Sequence, residues 1–254
     1  MASRIKISRR REYKEQVRAY LNFSKNLNAK LKRLFRKVKR KASLKYTGGL
    51  FVEDIMFLEF GDELYKILSN HYKLVIGSTA TRMIKIRTKE DQQIEDLINK
   101  FIQDNTAQKV TQISSATRAL LATSIAAGIA DGLGVIDMSK LIQRSIAFAD
   151  YRATMISRTE THTAQNYAVT VVSKVLEFKK PKKVWVSALD DRSRTWHRDM
   201  NGKSVEDNEK FKVFTPKIGV VLMEYCGDPN GGARNVINCR CMTQTYDEED
   251  EILA

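Results

Sequence analysis

Cysteine, histidine and proline are scarce in this chain of 254 residues, with three of each. An odd set of thiols, Cys226, Cys239 and Cys241, does not suit the paired framework of a small disulfide-built secreted domain and points to a reduced interior during synthesis. No apolar run approaches the roughly twenty residues a membrane span requires. The opening Met1-Ala-Ser-Arg-Ile-Lys6 has no apolar signal core, so neither export nor a membrane partner is expected. Nucleophile elbow, phosphate loop and paired-carboxylate motifs are missing, as are internal repeats. All three prolines stand at Pro181 or beyond, which leaves the preceding chain free of the strongest helix breaker.

What the chain does have is positive charge, and it is concentrated. Residues 1–50 hold seventeen Lys or Arg against only Glu12 and Glu15, a net +15, so of the total +14 the remainder carries −1. Localised basicity favours nucleic acid, an anionic surface or an acidic protein partner over a merely solvated helix face. Tyr13, Val17, Tyr20, Ser24, Leu27, Leu31, Leu34 and Val38 are spaced by alternating fours and threes, which predicts one long helix with a narrow apolar seam. Leu27, Leu31, Leu34 and Val38 are its candidate partner-binding residues, although the spacing alone does not choose between a partner and the protein's own body. Arg9, Arg10, Arg11, Lys32, Arg33, Arg36, Lys37, Lys39, Arg40 and Lys41 are the candidates for contacting the phosphates of double-stranded DNA.

Gly48-Gly49 ends that helix, and a second is predicted from about Leu50 to Tyr72. Residues 74–87 read equally as a strand or a bent helix. Thr88 to Asp91 has the form of a capping box opening a helix with Ile94, Leu97, Ile98, Phe101 and Ile102 on one side. Ser114-Ser115 is then expected to cap a separate helix, 116–130, closed by Gly132 and Gly134, with Asp137 capping the next from Met138 to Phe148. A last long helix is expected from about Tyr151 to Leu176. After Pro181 the texture changes: residues 184–189 read as a strand, and Asn201-Gly202 as a turn returning through Val205. The expectation is an α+β fold, an elongated and mostly helical N-terminal two-thirds followed by a small mixed domain with a short antiparallel sheet. Its divisions are a basic arm (1–47), a helical region (48–150), a C-terminal domain (151–246) and a frayed acidic tail (247–254).

The distinctive chemistry lies in Leu189-Asp-Asp-Arg-Ser-Arg-Thr-Trp-His197 and in Ile237-Asn-Cys-Arg-Cys241. His197, Cys239 and Cys241 are ligand types suited to a structural zinc, with Cys226 available as a fourth, although Cys-x-Cys is tighter than the usual ligand spacing. The same residues with Asp190 or Asp191 also assemble on paper into a thiol nucleophile with a base and an orienter, as in a nuclease or toxin-like enzyme. A third reading is architectural: Asp190 or Asp191 holds the Arg192 or Arg194 fork, while Asn238 and Arg240 tie loop carbonyls to the sheet.

Several stretches, in order, carry a resemblance. They are Phe101 to Val110 with Ile113 to Thr117, Gly128 to Gly132, Ile156-Ser-Arg158-Thr-Glu160-Thr with Asn166, Trp185 with Asp190 to His197, Gly227-Asp-Pro229, and Asn238-Cys-Arg-Cys241. Together, over about residues 90 to 246, the chain resembles the Mu F-like family of phage minor head (head morphogenesis) proteins. Cys226 departs from the pattern, since related chains often carry proline there. The resemblance implies a minor virion protein, present in few copies and bound to the portal protein at the portal vertex inside the head. It also implies synthesis in the host cytoplasm, contact with scaffold or major capsid protein, and in some members a part in DNA delivery or ejection. It implies no shared enzymatic activity.

Overall fold

The computed structural model describes residues 7–47, 53–84, 91–175, 178–247 and 252–253. In chain order these form β1 (Ile7–Ser8), α1 (Arg9–Thr47), α2 (Glu53–Ile84), α3 (Asp91–Ala130), α4 (Val135–Arg144) and α5 (Asp150–Val175). There follow β2 (Pro181–Val186), α6 (Thr195–Arg198), β3 (Ser204–Glu206), β4 (Phe211–Thr215), β5 (Gly219–Met223), α7 (Gly232–Val236), β6 (Met242–Asp247) and β7 (Ile252–Leu253). The class is the expected α+β, with long helices first and short antiparallel sheets last. Packing divides the chain into two compact units, each drawn from segments distant in sequence. One comprises Lys25–His71 and Lys100–Ser157; the other comprises Met1–Ser24, Tyr72–Asn99 and Arg158–Ala254.

The first unit is helical, and the seam of α1 forms part of its core. Leu27 and Leu31 are 0% exposed, Leu34 3% and Val38 4%. Phe35, beside the seam, meets the rings of Phe60 and Phe148, each at 6.2 Å. Each buried aliphatic side chain contributes roughly 1.5–3 kcal/mol. This corrects the partner-binding reading of Leu27, Leu31, Leu34 and Val38: their apolar surface is already covered by the protein's own chain. The Arg152 guanidinium, also buried, donates to Thr117 Oγ1 at 3.1 Å and to the Ala147 carbonyl, and sits over the Phe35 ring.

Three helix boundaries differ from the sequence reading. The ambiguous segment around Val75-Ile76-Gly77 is helical, as part of α2, where Val75 and Ile76 are buried. The two helices expected on either side of Ser114-Ser115 are one, α3. Four of its hydroxyls are accommodated by bonding back one turn: Thr111, Thr117, Thr123 and Ser124 each donate to the carbonyl four residues earlier. Gly132, at φ +65°, closes α3 as expected. Asp137 lies in the first turn of α4 rather than capping it, and pairs with Lys140 at 2.9 Å. A separate 3-10 turn, Ile146–Phe148, follows α4, with the Ser145 hydroxyl accepting from the Ala147 amide. The capping box at 88–91 lies largely outside the described residues. By length and composition the Gln92–Ala130 stretch is apolar enough to cross a membrane, so the expectation of no such run was too strict.

The second unit holds the sheets. The strand β2 lies between β3 and β6, antiparallel to both, and a separate hairpin joins β4 to β5. Their common core is Trp185, Met200, Phe211, Val213, Met223 and Val236 with the three cysteines. From Thr159 to Ser173 the α5 helix is buried on every side except at Tyr167, and its polar residues are held by neighbouring chain. Asn166 Oδ1 accepts from the Thr243 amide at 2.6 Å, Thr163 donates to the Gly227 carbonyl at 2.9 Å, and Tyr72 donates to Glu160 at 2.6 Å. Such pairing is what lets a polar helix be buried. The acidic end is not simply frayed. Asp247 completes β6 and accepts from the amides of Lys179 and Lys180, while Ile252–Leu253 pair with β1.

Candidate metal centre

Fold and hydrogen bonding bring the two distinctive segments together. The short helix α6 delivers His197 beneath β2, where the Trp185 ring meets the imidazole edge-on at 5.3 Å. After α7, Asn238 takes a left-handed turn at φ +54°, a conformation asparagine tolerates. Its amide donates to Thr159 Oγ1 at 3.1 Å. That turn points Cys239 and Cys241 inward: Cys239 Sγ lies 3.5 Å and Cys241 Sγ 3.6 Å from His197 Nδ1. All three side chains are buried.

The other ring nitrogen fixes the imidazole. His197 Nε2 lies 3.2 Å from Asn235 Oδ1, which can only accept, so Nε2 carries a proton and Nδ1 faces the two sulfurs. Asn235 is itself held firmly. It is wholly buried, Oδ1 also accepts from Trp196 Nε1, and Nδ2 donates to Thr215 Oγ1 and the Gly231 carbonyl. Sequence reading missed Asn235. The signal that finds it is chemical, because an inward-facing imidazole needs an acceptor for its second nitrogen.

The thiols differ. Cys239 is pushed well above the usual thiol range, first by its hydrogen bond with Cys241 and then by burial. Cys241 is held well below it, first by that hydrogen bond and, against burial, by His197. Cys226 stands apart, in the hydrophobic core with its amide donating to Thr243 Oγ1 and its thiol raised by burial. Among the described residues the three-ligand cluster is His197, Cys239 and Cys241 without it.

A second histidine, His162 of α5, is also buried. Its Nε2 donates to the Cys241 carbonyl at 2.5 Å, and burial first of all lowers its pKa to about 4. Gly227 is required beside it, since a Cβ there would come within 2.4 Å of His162 Nδ1.

Around the cluster the architectural reading is partly met. Arg240 makes a two-pronged pair with Asp190, both contacts at 2.5 Å. Burial pushes the Asp190 carboxyl up, but hydrogen bonds from Ser193 and Arg240 outweigh it and hold the group below the usual carboxylate range. Arg194 donates to the Ile237 carbonyl at 2.6 Å, and Arg198 to that of Asp190 at 2.7 Å. The expected fork of Arg192 on Asp190 is only a 3.8 Å contact between exposed side chains. Asp191 and Arg158 are exposed and take no part in this network. Asn238 contributes its backbone rather than a side-chain tie, and Arg240 binds a carboxylate rather than loop carbonyls.

The basic arm divides in two. Lys32 pairs with Asp150 at 2.8 Å, Lys37 pairs with Glu63 and Lys41 with Glu59, so these candidate DNA contacts are partly neutralised. Arg11 pairs with Glu15 along the helix. Arg33, Lys39 and Arg40 have no carboxylate partner among the described residues, and Arg36 bonds to the Lys32 carbonyl. The side chains of Arg9 and Arg10 lie outside the described residues. A groove of about 440 Å³ in the helical unit gathers Lys30, Arg33, Lys37 and Lys66 around Leu34 and Ile67.

The model of the family described as Phage Mu protein F like protein matches residues 119–244, which run from within α3 to within β6 and include the whole cluster. Through that region the chain is similar to the Mu F-like family of phage minor head proteins. Minor head protein GP7 of Bacillus phage SPP1 is 30% identical over 123 residues, 48% of this chain and 38% of that protein. The matched stretch is thus well under half of that relative's length. No solved structure matches.

Proposed function

We propose that the chain acts by binding, as a minor component docked on the portal protein at the portal vertex inside the head, where it serves head assembly and meets packaged DNA. The observation that carries this reading is the match of residues 119–244 to the Phage Mu protein F like protein family, together with a relative named a minor head protein. An enzymatic role for His197 has less support. His197, Cys239 and Cys241 are 1%, 1% and 2% exposed, so a substrate has no direct approach to them.

With the α1 seam committed to the core, protein docking falls to another apolar surface. The outer face of the β4–β5 hairpin provides one: Phe214, Val220 and Leu222 are 64%, 63% and 51% exposed, with Ile218 at the turn. A face of this kind on a folded protein marks an interaction site. Lys210, Lys212 and Lys217 border it and suit an acidic counterpart. Co-purification with the portal protein is the direct test of this docking.

DNA contact belongs to the unpaired cations of α1 and to the groove lined by Lys30, Arg33 and Lys66. Such binding reads phosphates, not bases. Titration of the full chain with a short duplex should show an affinity falling steeply with salt. The triple variant K30Q/R33Q/K66Q should flatten the log–log slope by roughly 2–3, at about 0.9 for each phosphate that is no longer neutralised. A salt-insensitive affinity, or an unchanged slope in the variant, contradicts this assignment.

A further inference from the structure

We infer that His197 Nδ1, Cys239 Sγ and Cys241 Sγ form a preorganised zinc site that joins the α6 segment to the turn after α7. The first ground is spacing. Zinc holds sulfur at about 2.3 Å and nitrogen at about 2.0–2.1 Å in a tetrahedron, which sets ligand N and S about 3.6 Å apart. The observed separations are 3.5 and 3.6 Å, and all three donor atoms lie within 4.8 Å of one another.

The second ground is the imidazole's orientation. A zinc-bound histidine characteristically donates its other ring N–H to a fixed acceptor. Asn235 Oδ1 fills that role and is itself anchored by Trp196, Thr215 and Gly231. Nδ1 is therefore turned to the sulfurs without rotation of the ring. Two hydrogen-bonded thiols buried in a core need no such second layer.

Zinc needs both sulfurs as thiolates and a bare Nδ1, so any proton on these three atoms passes to solvent as the metal enters. No further nitrogen, sulfur or carboxylate joins the cluster among the described residues, so the fourth position falls to water. Zinc then ties two segments already joined by the Asp190–Arg240 pair and by Arg194 to the Ile237 carbonyl.

The test uses the full chain purified without an affinity tag. Elemental analysis is expected to give one zinc per chain, and replacement by cobalt to give thiolate charge-transfer and tetrahedral visible bands. Cys226→Ser should keep both signals, Cys239→Ser should lower the charge-transfer intensity per bound cobalt by about half or abolish uptake, and Asn235→Ala should weaken cobalt affinity by about 10–100-fold. Because Asn235→Ala also disturbs the packing around it, circular dichroism is recorded on each variant and affinity is compared only between folded ones. A folded wild-type chain that takes up neither metal overturns the inference, as does a cobalt spectrum that depends on Cys226 but not on Cys239.

Discussion

Replacing Leu31 by aspartate is expected to unfold the helical unit. Leu31 is 0% exposed in a seam that continues through Leu27, Leu34 and Val38. The change deletes an apolar side chain and puts a carboxylate where nothing can pair with it. Lost transfer energy and an unpaired buried charge together exceed about 4 kcal/mol, a large part of the roughly 5–15 kcal/mol that holds a domain folded. Arg33→Asp, two residues along on the exposed side of α1, should cost less than about 1 kcal/mol. Urea unfolding followed by circular dichroism compares the two. A Leu31→Asp chain with the wild-type midpoint would mean that the seam is not packed by its own chain, and a partner would again be needed to explain it.

Mild acid is expected to destabilise the same unit through His71. This residue is buried, and burial first, then the nearby charge of Lys30, lowers its pKa to about 3. Its unfolded value is about 6.5. Because the folded value is the lower, the unfolded chain takes up the proton first. Stability is therefore full above about pH 6.5 and is lost as pH falls toward the folded value. At about 1.4 kcal/mol per pH unit the loss is on the order of 2 kcal/mol by pH 5. His162 acts with the same sign in the other unit. His71→Gln should therefore flatten the pH dependence of the helical unit between pH 6.5 and 5, read by urea unfolding at each pH. An equal loss in the variant assigns the effect elsewhere.

How far the sequence could be read follows from what each signal encodes. Heptad-like spacing along α1 announces a buried seam, but it does not encode which surface does the burying, so the self-packed answer needed coordinates. Ser114-Ser115 looked like a helix start because hydroxyl pairs favour caps, yet α3 runs straight through them, and Thr111 and Thr117 on either side bond back to the preceding turn. The β4–β5 hairpin escaped notice because Phe214, Val220 and Leu222 are apolar on its outer face, which erases the alternation that marks a half-buried strand. His197, Cys239 and Cys241 were legible as a candidate ligand set from residue type alone. Asn235 was not, since an asparagine near glycines reads as loop. Its meaning appears only when its carbonyl is seen against the imidazole. Asp190 was legible as a carboxylate in need of an arginine, but local spacing favoured Arg192 or Arg194, and the partner proved to be Arg240, fifty residues away.

The central claim is that this chain is a head component that works by docking on the portal protein, and co-expression with that protein tests it most directly. The wild-type chain is expected to co-purify with portal oligomers through size exclusion, while a Phe214→Asp/Leu222→Asp variant with a wild-type circular dichroism spectrum elutes free. Elution of the folded wild-type chain apart from the portal, or equal retention of the variant, would contradict the account.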